Sequence, residues 1–199
     1  MSDAERVYAE IVARINQLVP IRDLRIDVDD VRQILTLQIC EDTGIGLPAA
    51  SLSDGTLRFL TLAILVSDPF REGLVCIEEP ENGIHPAKMS EMVNLLRDLA
   101  VDAEMPPGRD NPFRQVIVAT HSPAFVQLVH FQNKDDLLFA VETMVRGASG
   151  KPERTVRCRP LHGTWRCDAS VEPGVGLGTI MAYLASPRGA QLSLLDLTA

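Results

Sequence analysis

The spacing of apolar residues predicts one helix and then two strands in the first forty residues. In residues 4–18 apolar side chains recur every three or four positions, and Pro20 ends the pattern. Apolar and polar residues then alternate in residues 24–28 and 34–39. We therefore expect an amphipathic helix followed by a two-stranded hairpin, with one face of each strand buried.

Residues 41–77 predict a loop, a helix and a strand in succession. Residues 41–51 contain two glycines and a proline and predict a loop. Helical spacing follows in residues 56–66, and residues 74–77 read Leu-Val-Cys-Ile. The length and β-branched content of this run are typical of a parallel strand buried on both faces, with Cys76 as a small buried residue.

A second helix and a second apolar strand repeat this order. Pro86 suits the first turn of a helix, and residues 89–99 carry an apolar face. Residues 116–119 form another apolar run, and a helix is predicted near residues 124–129. Strand, helix, strand and helix in succession indicate an α/β fold with a mostly parallel sheet and crossover helices.

The last third of the chain is less regular. Residues 137–141 predict a strand, residues 147–150 a glycine-rich turn, and residues 155–159 a β-prone segment. Residues from 173 onward have no pattern that assigns a structure. A chain of 199 residues is long enough for one domain with a buried core, so we expect residues 1–199 to form a single domain.

Composition places the chain among globular proteins. Hydrophobic residues make up 46% and charged residues 23%, the apolar runs are too short to span a bilayer, and the N-terminus lacks the features of a signal peptide. We expect a cytoplasmic protein with no membrane partner. The net charge of -8 argues against a generally basic surface that grips nucleic acid, and four scattered cysteines give little support to a zinc site.

Ser53, Asp54 and Gly55 stand just before the helix predicted from residue 56. Ser53 or Asp54 can cap the helix, and Gly55 lets backbone N–H groups approach an anion, which the positive end of a helix favours. A phosphate group would suit such a loop. A capped helix without any ligand is the alternative, and these three residues alone favour it.

Three acids, Glu78, Glu79 and Glu81, follow the first apolar strand. Successive strand residues point to opposite faces, so one of Glu78 and Glu79 could hold Mg²⁺ while the other orients or deprotonates an attacking water. Acids packed beside a buried strand repel one another unless a cation relieves them, which favours a functional site over a solvated turn. His121, a weak signal by itself, follows the second apolar strand and could reach the same ligand.

In this order and spacing, the three loops resemble the C-terminal half of the ABC ATPase superfamily. Residues 52–58, Leu-Ser-Asp-Gly-Thr-Leu-Arg, are similar to its signature motif, residues 74–79 to its Walker B strand, and residues 119–123 to its switch-histidine loop. Residues 79–86, Glu-Pro-Glu-Asn-Gly-Ile-His-Pro, are especially similar to single-chain AAA-type ATPases related to chromosome-maintenance and DNA-repair proteins and to overcoming-lysogenization-defect nucleases. The resemblance covers about residues 20–145 and implies the C-terminal lobe of a P-loop NTPase head.

The resemblance also implies roles for individual residues. Glu78 would take the Mg²⁺-associated Walker B position, where many relatives have Asp, and Glu79 would be the catalytic base. His121 would sense the γ-phosphate of ATP. The signature loop, which contacts a nucleotide held by the opposite subunit, would include Ser53, Asp54 and Gly55.

One element of a complete nucleotide site is missing from the sequence. A P-loop requires Gly-x-x-x-x-Gly-Lys followed by Ser or Thr, and no segment of the chain has it. ATP and Mg²⁺ would therefore bind only together with a P-loop lobe or chain from elsewhere, in a homodimer of heads that could reach nucleic acid as a full assembly. An ATPase head fragment is the main hypothesis.

Two alternatives remain open. The chain could be a P-loop-free binding or dimerisation module for another ATPase, in which Ser53 and Gly55 matter and Glu79 does not. It could also be a metal-dependent hydrolase or nuclease whose ligands are Glu78, Glu79, Glu81 and His121.

Overall fold

A computed structural model describes residues 3–40, 44, 46–146, 151–167 and 174–185. They belong to two compact units, residues 1–120 and 121–199, and each is described by itself. The glycine-rich turn predicted at residues 147–150 lies outside the described residues, as do positions 41–43 and 45 of the predicted loop.

The first unit contains three α-helices and five strands among its described residues. The helices are α1 (Asp3–Ile15), α2 (Asp54–Val66) and α3 (Met89–Leu99). The strands are β1 (Asp23–Asp29), β2 (Ile34–Cys40), β3 (Gly46–Pro48), β4 (Gly73–Glu78) and β5 (Arg114–Ala119). Short 3₁₀ helices span Ala49–Ser51 and Pro86–Lys88.

The strands β1, β2 and β3 form an antiparallel sheet in that order. The predicted hairpin is confirmed, and β3 occupies part of the segment predicted to be a loop. Leu24 and Ile39 are cross-strand partners at the base of the hairpin and are buried, whereas Val28 and Leu35, partners nearer its turn, are 56% and 70% exposed. The expected burial of one face therefore holds only at the base of the hairpin.

Helices α2 and α3 supply most of the core of the first unit. The apolar face predicted for residues 89–99 is buried, and α2 is apolar over more than one face because α1 and α3 both pack against it. The largest side chains that are fully buried in this unit are Phe59, Ile15, Ile39, Met92, Leu95 and Leu99.

The parallel pair in the described structure is β4 with β5, joined by a crossover that contains α3. The α/β class is confirmed, although the other two sheets are antiparallel. The expectation that both strands are buried on both faces is wrong, because Leu74 and Ile117 are 58% and 57% exposed and Cys76 is exposed as well. These three side chains share one face, which we call the open face; the opposite face is half-buried.

The second unit is built on a long antiparallel hairpin. Strands β6 (Leu138–Arg146) and β7 (Pro152–Pro160) pair along their full length, and the flanking helices are α4 (Pro123–Asn133) and α5 (Leu177–Ala185). A third 3₁₀ helix spans Lys134–Asp136. Helix α5 lies in the region to which the sequence assigned no structure. The core of the second unit consists of Val126, Phe139, Val141, Leu161, Val175 and Ile180.

Candidate functional site

Residues 52–55, which we call the signature loop, lead into the first turn of α2. Ser53 is the N-cap residue: its Oγ accepts a hydrogen bond from the Thr56 backbone N–H at 3.2 Å and lies 2.9 Å from the Thr56 Oγ1. Ser53 and Asp54 are both exposed. The capping interpretation of Ser53 is thus confirmed, and the exposed helix N-terminus leaves room for an anion, whose binding stays a prediction.

Gly55 has a packing role that the sequence did not reveal. It is buried, and a Cβ atom at this position would lie 2.3 Å from the carbonyl oxygen of Gly83. Gly83 itself has a φ of 80°. The absence of a side chain at Gly55 therefore allows the signature loop to touch the backbone of residues 79–85, which we call the acidic loop.

Glu78 and Glu79 have different surroundings at the end of β4. Glu78 is the last residue of the strand and lies on the open face with Leu74 and Cys76. Glu79 is half-buried, has a left-handed backbone with a φ of 44°, and accepts a hydrogen bond from the Asn82 side-chain amide on its Oε2. This difference agrees with separate roles for the two carboxylates, which remain predictions.

Glu81 is a structural acid in this geometry. It is only 7% exposed, and the hydroxyl of Thr120 donates a hydrogen bond to its Oε1, which ties the acidic loop to the end of β5. Its Oε2 is buried without a hydrogen-bond partner among the described residues. Over the same residues, no three His, Cys, Asp or Glu side chains converge as they would to hold a metal ion.

Two histidines lie next to helix starts. His85 Nδ1 accepts a hydrogen bond from the Ala87 backbone N–H at 3.2 Å and so caps the 3₁₀ helix Pro86–Lys88. His121 is the first residue of the second unit and is exposed, and its neighbour Ser122 caps α4. The role of His121 stays a prediction.

Sequence reasoning missed Arg58. This half-buried residue of α2 donates a hydrogen bond from its guanidinium to the backbone carbonyl of Glu79. An arginine on a helix ordinarily indicates a solvated face, and no spacing rule marks a contact with a carbonyl 21 residues away. The helix period could have placed Arg58 on the side of Gly55, three positions earlier.

The donor set fits one side of a nucleotide site. The N-terminus of α2 offers backbone N–H groups to an anion, and Glu78 offers an exposed carboxylate to a cation. The P-loop lysine and its glycine-rich cradle are missing from the sequence. An open groove of about 900 Å³ between α1 and β1 is lined by none of the predicted site residues.

Comparison with known proteins gives one family and several remote structures. The sequence profile of a family described as "AAA domain, putative AbiEii toxin, Type IV TA system" matches residues 8–127. The search of curated proteins found no significant match. None of the helices in the described part of the chain is long and apolar enough to cross a membrane.

Three of the similar solved structures come from work on Smc proteins. The Smc head with a coiled coil and joint from Pyrococcus yayanosii is 12% identical with a TM-score of 0.48, and the match covers 91% of this chain and 29% of that one. The Pyrococcus furiosus Smc head bound to the C-terminal domain of ScpA is 9% identical with a TM-score of 0.42, covering 78% and 35%. A structure from work on ATP-driven dimerization and DNA stimulated activation of SMC ATPases is 10% identical with a TM-score of 0.44, covering 77% and 84%.

Proposed function

Because this chain belongs to the AAA domain family whose profile matches residues 8–127, we propose that it is the C-terminal lobe of an ATPase head. The family match confirms the ABC/AAA-type relationship inferred from the sequence and supports a nucleotide-binding module. The lobe completes a nucleotide site only together with a second lobe that carries the P-loop.

The open face of β4 and β5 is the observation that carries this proposal. Parallel strands are ordinarily covered on both faces, yet here Leu74 and Ile117 are more than half exposed. Within the described residues, neither β4 nor β5 pairs with any third strand. An apolar face and two unpaired edges are what a parallel sheet shows when its remaining strands and helices belong to another polypeptide.

Glu78 lies on the open face at the end of β4 where a nucleotide would bind. It lies on the same face as Leu74 and at the carboxyl end of β4, which is where open α/β sheets bind their ligands. A P-loop lobe that covers the open face would therefore bring its bound nucleotide towards Glu78. This placement supports the Mg²⁺-associated role that the resemblance implies.

Each remaining site residue acts through a different property. ATP with Mg²⁺ supplies the γ-phosphoryl group and a compensating positive charge when it is bound. Glu79 orients the attacking water and accepts a proton from it. The hydrogen bond from the Asn82 side-chain amide holds the Glu79 carboxylate in place. Ser53, Asp54 and Gly55 present the N-terminus of α2 to the nucleotide of a second head, which makes a homodimer of heads the active arrangement. His121 would sense the γ-phosphate, as the resemblance implies.

The proposal is tested by ATP turnover with and without a P-loop lobe from a full-length member of the family. We expect the isolated chain to be inactive and the mixture to hydrolyse ATP in a manner that Glu79→Gln abolishes. Ile117→Arg on the open face should weaken the assembly at least about tenfold, because an unpaired charge would be buried against the partner.

Val31→Arg serves as the matched control, because Val31 is 95% exposed in the turn between β1 and β2. It should leave assembly and turnover unchanged. Robust, Glu79-dependent hydrolysis by the isolated chain would overturn the proposal, and so would equal assembly of the Ile117→Arg and wild-type chains.

A P-loop-free binding module for another ATPase is the second candidate. It is favoured by the exposure of Ser53 and Asp54 together with the engagement of the Glu79 carboxylate by Asn82. In that case Ser53→Arg should abolish the stimulation of a P-loop partner while Glu79→Gln leaves it intact. Large and equal losses from both substitutions would exclude the module.

A further inference from the structure

The backbone of Glu79 adopts a conformation that is uncommon for a residue with a side chain. Its φ of 44° lies in the left-handed region, directly after the extended strand β4. The Glu79 N–H donates to the carbonyl of Ala119 at 2.7 Å, and the Glu79 carbonyl accepts from the Asn82 N–H at 3.1 Å. These bonds fix both sides of the residue.

Arg58 supplies a third contact, and it comes from a different element. Its guanidinium donates to the same Glu79 carbonyl oxygen that accepts from Asn82. A hydrogen bond from a charged donor is stronger than one between neutral groups. The direction of this carbonyl is set by the backbone conformation of Glu79, so Arg58 favours the conformation in which the carbonyl points towards α2.

A second link joins the same two parts of the molecule. Gly55 lies against Gly83 so closely that a Cβ atom on either glycine would approach the backbone of the other within 3 Å. Gly55 and Arg58 are three residues apart and therefore face the same side of α2. The first turns of α2 thus hold the acidic loop near both of its ends.

From these contacts we infer that Arg58 is a positioning residue for Glu79. It touches no substrate and acts through the Glu79 backbone carbonyl, so that the carboxylate leaves the end of β4 in one fixed direction. The inference rests on the proposed role of Glu79 in water activation.

Amide hydrogen exchange on the full chain tests the contact without any partner. Arg58→Gln should speed the exchange of the Asn82 and Glu79 amides about tenfold, because the acidic loop opens more readily once the charged donor is gone. Arg58→Lys, which retains a donor, should show a smaller effect. Arg71→Gln is the control, because Arg71 is 76% exposed and pairs with Asp68 on the surface.

Exchange at Asn82 and Glu79 that is unchanged in Arg58→Gln would overturn the inference. The wild-type protein provides an independent readout if the Gln variant does not fold. A protected Arg58 guanidinium N–H signal in its NMR spectrum is expected, and a freely exchanging one would also overturn the contact.

Turnover in the mixture with a P-loop lobe separates this inference from the proposed function. Arg58→Gln should lower kcat about tenfold and leave the KM for ATP within about twofold, and Arg58→Lys should restore part of the loss. If Glu79→Gln has no effect, the proposed function fails while hydrogen exchange still decides the contact. If Glu79 is required and Arg58→Gln retains the wild-type kcat, only the positioning role fails.

Discussion

At the scale of single residues, Gly55 shows how a motif glycine can be required for packing. Gly55→Ala would place a methyl group 2.3 Å from the Gly83 carbonyl oxygen, where neither backbone can give way without moving the other. We expect a loss of about 1–3 kcal/mol in the free energy of unfolding, measured by urea denaturation of the isolated chain.

Gly108→Ala is the matched control, because a Cβ atom there meets nothing within 4 Å. Its free energy of unfolding should change by less than about 0.5 kcal/mol. A Gly55→Ala protein as stable as the control would show that the two loops do not touch, and would return Gly55 to a purely ligand-binding role.

Arg114 is a second residue whose importance comes from burial. Its side chain is 2% exposed and donates to the carbonyls of Leu65 and Asp68, at 2.7 and 2.8 Å, where α2 ends. Burial lowers the pKa of its guanidinium, and the nearby carboxylate of Asp68 acts in the opposite direction. Arg114→Met should cost about 2–3 kcal/mol in urea denaturation, because two carbonyls lose a charged donor.

Arg71→Met gives the comparison for Arg114. Arg71 also pairs with Asp68, at 3.5 Å, but is 76% exposed, so its loss should cost less than about 1 kcal/mol. Equal losses for the two substitutions would mean that the Arg114 bonds contribute little.

At the scale of elements, hydrophobic period was enough to predict most of the first unit. The helix over residues 89–99 follows from helical spacing, the hairpin of β1 and β2 from the alternation of apolar and polar residues, and the parallel pair of β4 and β5 from two short apolar runs. Exposure was harder to predict. The apolar runs of β4 and β5 predict burial on both faces, whereas one face is exposed at Leu74 and Ile117.

Some residues of the candidate site could be predicted from the sequence and others could not. Ser53 stands at the start of a helix and Glu78 and Glu79 at the end of a strand, which a sequence pattern can locate. Arg58 and Gly83 act through backbone contacts between elements distant in sequence, for which no local spacing rule exists. The left-handed backbone of Glu79 could not be predicted from the sequence either, because glycine is the residue that ordinarily indicates a positive φ.

Helix α2 allows the structural and the ligand-binding roles of Ser53 to be separated. Ser53→Ala removes the cap and should cost about 1 kcal/mol in the isolated chain, whereas Ser53→Asp keeps a capping oxygen and should stay within about 0.5 kcal/mol of wild type. In the assembled head, Ser53→Asp should still reduce turnover, because its charge repels phosphate. Wild-type turnover of Ser53→Asp would leave Ser53 with the cap alone.

At the scale of the whole molecule, charge is distributed unevenly between the two units. Residues 1–120 contain 11 Lys and Arg against 20 Asp and Glu, whereas residues 121–199 contain 8 against 7. The excess of acid therefore belongs to the unit that carries the acidic loop. The arginines of β7 do not form a single stripe, because Arg154 faces away from Arg157 and Arg159 and pairs with Glu142 at 3.1 Å.

This distribution predicts that the isolated chain does not grip nucleic acid. Affinity for a duplex depends on several cations acting together on the phosphates, and -8 net charge opposes approach. We expect fluorescence anisotropy with a short DNA duplex at physiological salt to give a Kd no tighter than about 10⁻⁴ M. Micromolar binding that Arg157→Gln weakens and Arg32→Gln does not would instead place a nucleic-acid contact on β7, independent of the full assembly.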